Sequence, residues 1–182
     1  LGNWRPSRRT NADRADRSFA DSLVTALVDD ATAEAAARAL AKLQHAPARD
    51  ALAAVAADRA RNQGARTESL RALAALPDSA AAVDAVVAAI GDDDPTELRT
   101  AAVALFAERE PHKAAPVLAS LCQKAATKER QQAFASLGSL RDPAGARVLA
   151  EWLQRWKEGK VDGEVQLDLA LAAAARSEPE VP

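Results

Sequence analysis

Apolar side chains recur three and four residues apart along most of the chain, the period of one face of a helix. Four stretches superimpose on one another: Ala37-Arg-Ala-Leu-Ala-Lys-Leu43, Leu70-Arg-Ala-Leu-Ala-Ala-Leu76, Ala102-Val-Ala-Leu-Phe-Ala-Glu108 and Phe134-Ala-Ser-Leu-Gly-Ser-Leu140. Their central leucines, Leu40, Leu73, Leu105 and Leu137, are 33, 32 and 32 residues apart. The column three residues earlier (Ala37, Leu70, Ala102, Phe134) keeps that spacing and shares its helix face. A second helix follows each stripe, through Val86-Val87 and Ile90, Val117-Leu118 and Leu121, then Val148-Leu149 and Trp152-Leu153. Ala51 to Ala60 is the weaker equivalent in the first unit. The pattern predicts an all-α superhelix, a solenoid of about four helix pairs with flanking helices and no sheet.

The punctuation between stripes divides the chain. Residues 1–30 form an N-terminal arm and leading helix, in which Phe19, Leu23 and Leu27 at i, i+4, i+8 predict a helix over about 12–28. The array runs over 31–176, with units of about 31–63, 64–94, 95–125 and 126–160 and a half unit at 161–176, and 177–182 are a tail. In the half unit, Leu167 and Leu171 are expected to face the stack. Asp94-Pro95-Thr96-Glu97 places a capping Asp before a proline at the first helical position, with Glu three residues after the cap. Asp142-Pro143 repeats the start, and Pro77-Asp78-Ser79 and Glu110-Pro111 fall at matching turns. Gly91 stands where a left-handed helix end is expected, and Pro116 costs little if its helix begins near His112.

Composition sharpens the class. Forty-eight alanines and six aromatic residues, with no tyrosine or methionine, make good helices but a thin core. The net charge of -2, from 24 basic and 26 acidic residues, gives no global attraction to nucleic acid or an anionic membrane. Uncharged runs such as Ala114 to Gln123 are too short to span a bilayer. The chain opens at Leu1 with no visible signal peptide, as expected of a domain excised from a longer protein.

The segment Asp94-Pro95-Thr-Glu-Leu98-Arg99-Thr-Ala101-Ala102 resembles the Asp-Pro-x-x-x-Arg-x-Ala-Ala signature of HEAT-like repeats of the phycobilisome-lyase type. Only the third unit carries the whole signature. A narrower resemblance covers residues 95–172, through Glu129 to Ala144, Leu149-Ala-Glu-Trp-Leu153 and Val165-Gln-Leu-Asp-Leu169. It is to the HEAT segment of exported planctomycete-type proteins that join a sugar-dehydrogenase-like propeller to a C-terminal c-type cytochrome domain. That resemblance implies a helical spacer ahead of a haem domain and an exported location; without it the expectation is cytoplasmic. Neither the propeller nor a haem motif lies in these residues.

Candidate chemistry is sparse. His45 and His112 fall in predicted turns, far apart in the repeat order and without a ligand-type partner at i+3 or i+4. The single cysteine, Cys122, excludes an internal disulfide or a cysteine-based zinc site, and it reads as a small buried hydrophobe. Asp92-Asp93-Asp94 lacks the alternate spacing of a calcium loop. No nucleophile elbow, phosphate loop or dinucleotide fingerprint is present, so no catalytic, cofactor-binding or metal residue is expected. The candidate interaction residues are Trp4, Arg5, Arg8 and Arg9 in the basic arm, and Trp156, which either docks a neighbour or packs beneath the last helix.

These readings converge on a non-catalytic interaction module or spacer whose partner is a protein or a neighbouring domain, without cofactor, nucleic acid or membrane insertion. The alternatives are a bilin lyase-like or other tetrapyrrole-handling protein, which the absence of tyrosine argues against, and a DNA-binding HEAT protein, which few basic residues on the second helices argue against.

Overall fold

The computed structural model describes residues 18–176, and within them the chain is all-α. A helix occupies described residues 18–26 (α1). It is followed by α2 (Asp30–Leu43), a short 3-10 turn (Ala46–Ala48), α3 (Arg49–Ala57), α4 (Gln63–Ala75) and α5 (Ala80–Ala89). Then come α6 (Thr96–Arg109), α7 (Pro111–Lys124), α8 (Thr127–Ser139), α9 (Pro143–Lys157) and α10 (Gly163–Ala174). The helices divide into two compact units, Leu1–Ile90 and Gly91–Pro182. In each, even-numbered leading helices pack on one another and on the odd-numbered trailing helices.

Small residues let these helices approach closely. In the first unit Leu40, Leu52, Leu70, Leu73 and Val83 are fully buried among alanines that include Ala33, Ala37, Ala56 and Ala65. The second unit's core is built on Phe134, Leu137, Leu149, Leu118, Leu169, Val165 and Cys122, with Trp152 closing over them. Phe134 meets Trp152 edge to face at 5.3 Å, the arrangement that sets a positive ring edge against a negative ring face. At Gly138 of α8, an added Cβ would lie 2.8 Å from the Cα of Ala172 on α10, so a hydrogen is all that this crossing admits.

The central column holds at Leu40, Leu73 and Leu137, whereas Leu105 is only half-buried, because α6 turns Leu98, Ala101, Ala102 and Ala107 inward. In α7 the buried face is Ala114, Ala115, Leu118 and Cys122, which leaves Val117 exposed. The largest departure is α10. Val165, Leu169 and Ala172 form its buried face, so Leu167 and Leu171 point away from the core, 68% and 61% exposed.

Several helix ends also differ from expectation. Asp94 does not cap α6: the helix starts at Thr96 after an extended Pro95, while the Asp94 carboxylate accepts the Gly91 N–H at 3.0 Å and closes the turn. Gly91 is not left-handed; positive φ is found at Gln44, Asp78 and Gly159. Gly159 ends α9 with Lys160 N–H donating to the Arg155 carbonyl, six residues closing on the first, where a Cβ would be strained. Pro111 opens α7, so Pro116 removes one bond in its second turn. Asp142 caps α9 as its sequence predicts, its carboxylate accepting the Ala144 N–H at 2.8 Å ahead of Pro143.

Close packing at Gly138 sets a sign that propensity alone would reverse. Alanine is favoured over glycine by about 1 kcal/mol inside a helix, yet Gly138→Ala should lower the urea midpoint, because the new methyl meets backbone. Gly64→Ala meets only the movable end of the Glu34 side chain, and its midpoint should hold or rise.

Candidate interaction surface

On α4, α6, α8 and α10 the residue at the fourth position donates to a backbone carbonyl that precedes the helix. On α4 it is Arg66, buried, whose Nε donates to the carbonyl of Ala56 near the end of α3 at 3.1 Å. On α6 it is Arg99, whose guanidinium donates to the Asp92 carbonyl. On α8, Arg130 Nε donates to the Cys122 carbonyl at the end of α7 at 3.0 Å, and on α10 Gln166 Nε2 donates to the Val161 carbonyl at 2.9 Å. The last carbonyls of a helix have no partner within it, so Arg66 and Arg130 satisfy them at the ends of α3 and α7, while Arg99 and Gln166 hold the connecting backbone at Asp92 and Val161.

Acids at the starts of leading helices add a second set of ties. Asp30 accepts Arg61 Nε at 2.5 Å and the Asn62 N–H at 3.0 Å, and the Arg61 bond is the main reason its carboxyl is held below the ordinary range. Arg99 Nε donates to Glu129 at 2.7 Å, and Arg130 to Asp162 at 2.6 Å. Only Arg99 stood out in the sequence, through its Asp-Pro neighbour. Arg66 and Arg130 are its equivalents, and a shared spacing of 33 and 31 residues was the signal for them.

The residues singled out for chemistry lie apart. Cys122 is buried, and desolvation pushes its thiol up to about 12 against the pull of Arg130, so it is no nucleophile. His112 stands in the first turn of α7, not before it, 88% exposed, with Nδ1 2.5 Å from Asp142 Oδ2. His45 is half-buried at the start of the 3-10 turn, its Nε2 3.9 Å from an Asp21 oxygen. No group of three or more His, Cys, Asp or Glu among the described residues could hold a metal ion, and none of the described helices is long and apolar enough to cross a membrane. A cleft of about 350 Å³ between the ends of α6 and α8 and the start of α7 is lined by Ala107, Pro111, Ser136 and Leu140, with Glu108 and Arg141 among its polar residues.

Trp156 is half-buried and packs against the second unit's core, near Trp152, over which Arg155 stacks at 4.3 Å. Trp4, Arg5, Arg8 and Arg9 lie outside the described residues. What the second unit does present is an apolar stripe on α10, made of Leu167, Leu171, Ala174 and Ala175, all exposed.

No protein-family model matches the chain, and a search of curated proteins returns no relative.

Asp142 gives this region a pH dependence. Its carboxyl is held below the ordinary 3.8 chiefly by the Ala144 N–H, with His112 adding to the effect and desolvation opposing it. A lowered carboxyl contributes stability that is complete above its ordinary value and is lost as pH falls through the native one. Asn caps a helix as well as Asp does. The melting temperature of Asp142→Asn should therefore fall less steeply than that of the parent below about pH 4, and parallel curves would show that the cap does not titrate.

Proposed function

We propose that this chain is a non-catalytic scaffold, a HEAT-like array of helix pairs that engages a protein or a neighbouring domain of the same parent. The observation that supports it most is the recurrence of one polar position: the fourth residue of α4, α6, α8 and α10 donates to a backbone carbonyl just before its helix, at the end of the preceding helix for Arg66 and Arg130 and in the connecting residues for Arg99 and Gln166. A device repeated at this interval builds modules that join their neighbours alike, and such arrays present surface rather than a single site. The chemistry-bearing side chains fit that reading, since the thiol is buried and protonated and the two histidines sit in separate units.

Within this proposal the chain serves as a spacer in an exported, haem-linked protein, on the strength of the resemblance over residues 95–172. The parent gene tests that part: an encoded Cys-x-x-Cys-His downstream of Pro182 is expected, and its absence removes the haem-linked version.

The tetrapyrrole alternative is tested on the protein itself. Adding hemin or biliverdin to the purified chain should leave the visible absorption spectrum of either compound unchanged. A shifted band that saturates at one equivalent would replace the scaffold reading with a tetrapyrrole-handling one.

A further inference from the structure

Within each unit one pair of leading helices, α2 with α4 and α8 with α10, meets in the same register. In each pair the fifth residue of the first helix faces the first turn of the second. Glu34 on α2 lies against Gly64 of α4, and Gln131 on α8 donates from Nε2 to the Glu164 carbonyl of α10 at 3.0 Å. The ninth position reaches across the edge of the same contact, as Arg38 does to Glu68 at 3.5 Å. At the twelfth, Gly138 of α8 receives Ala172 of α10. Thr127 at the start of α8 bonds Glu164 at the start of α10, so the two helices run parallel.

On α10 the fifth, ninth and twelfth positions are Leu167, Leu171 and Ala174, and all three are exposed. A leading helix thus ends the described array with the face that its predecessors cover, and that face carries two leucines where α2 has Glu34 and Arg38 and α8 has Gln131 and Ala135. Terminal repeats that face water ordinarily carry a polar outer surface. Continuing the α8–α10 contact by one more step places a parallel helix over Leu167 and Ala174, with Leu171 at its edge.

We infer that the outer face of α10 is a docking surface for one amphipathic helix of a separate partner protein, lying parallel to α10. Its packing face resembles that of α10 itself, which presents Val165, Leu169 and Ala172 to α8. Recognition is chiefly apolar: Leu167 and Leu171 supply the exposed surface, and Glu164 and Gln166, two of the polar groups near the stripe, are already bonded to Thr127 and Val161. This deepens the interaction-module reading and rests on its repeat geometry.

The probe is a synthetic peptide of residues 160–176 carrying Leu167→Glu and Leu171→Glu, which keeps the packing face of α10 and removes its outer stripe. Fluorescence anisotropy of the labelled peptide against the full chain should show saturable binding, absent for a scrambled peptide. Leu167→Glu in the protein should weaken it about tenfold or more, with the circular dichroism and melting temperature unchanged. Leu171→Gln should weaken it less. Three results would overturn the inference: no binding at millimolar protein, equal binding to the Leu167→Glu protein (the peptide then replacing α10 on α8), or a protein dimer in sedimentation that Leu167→Glu abolishes. The last would make a second copy the occupant. Failure here, with an unchanged tetrapyrrole spectrum, would leave the scaffold reading standing without this surface.

Discussion

A helix ends with carbonyls that its own backbone cannot satisfy, and at the ends of α3 and α7 the donor is supplied from the fourth position of the helix that follows. Arg66 and Arg130 do this, and Arg99 and Gln166, at the same position of α6 and α10, donate to the carbonyls of the connecting residues Asp92 and Val161. The tie fixes more than a hydrogen bond. It sets the depth at which the next leading helix starts, and so the register in which its apolar face meets the preceding pair. Arginine suits the task because several of its donors leave one planar group: Arg99 and Arg130 reach a carbonyl and a carboxylate at once, so each serves both sets of ties.

Such ties matter because the core is thin. Burying an alanine removes little apolar surface from water, whereas a leucine or phenylalanine contributes about 1.5–3 kcal/mol. Packing in the second unit therefore concentrates on Phe134, Leu137, Leu149 and Trp152. Small residues contribute by letting helix axes approach, as at Gly138, and close approach tolerates no error in register. The polar ties and the small-residue crossings are two parts of one design: the first fixes the register that the second requires.

The helices were legible because the i, i+3 leucine columns at 40, 73 and 137 mark buried faces, and because Asp142-Pro143 is a helix start that the backbone obeys. Which face of α10 turns inward was not legible. Val165 and Leu169 make one apolar i, i+4 series, Leu167 and Leu171 make another, and only the helix against which α10 packs selects between them. Asp94 misled for a local reason: α6 starts one residue later than the Asp-Pro pair implies, at Thr96 with Pro95 as its cap, and the Asp94 carboxylate closes the turn on the Gly91 amide instead. The recurring arginines were overlooked because alignment on apolar columns hides a polar position, although Arg66 and Arg130 repeat as regularly as the leucines. Where a partner would bind left no motif, since the outer stripe of α10 differs from a core stripe only in what covers it.

The scaffold reading and the docking surface both depend on the fourth-position tie being a structural joint, not a surface decoration. Arg66 and Arg71 lie on the same helix, the first buried on the Ala56 carbonyl and the second largely exposed beside Glu68. Urea unfolding of Arg66→Ala and Arg71→Ala compares a joint with an ordinary surface arginine. Loss of the buried bond should cost Arg66→Ala about 1–3 kcal/mol, while Arg71→Ala stays within about 0.5 kcal/mol of the parent. Equal and small changes in both would contradict the account.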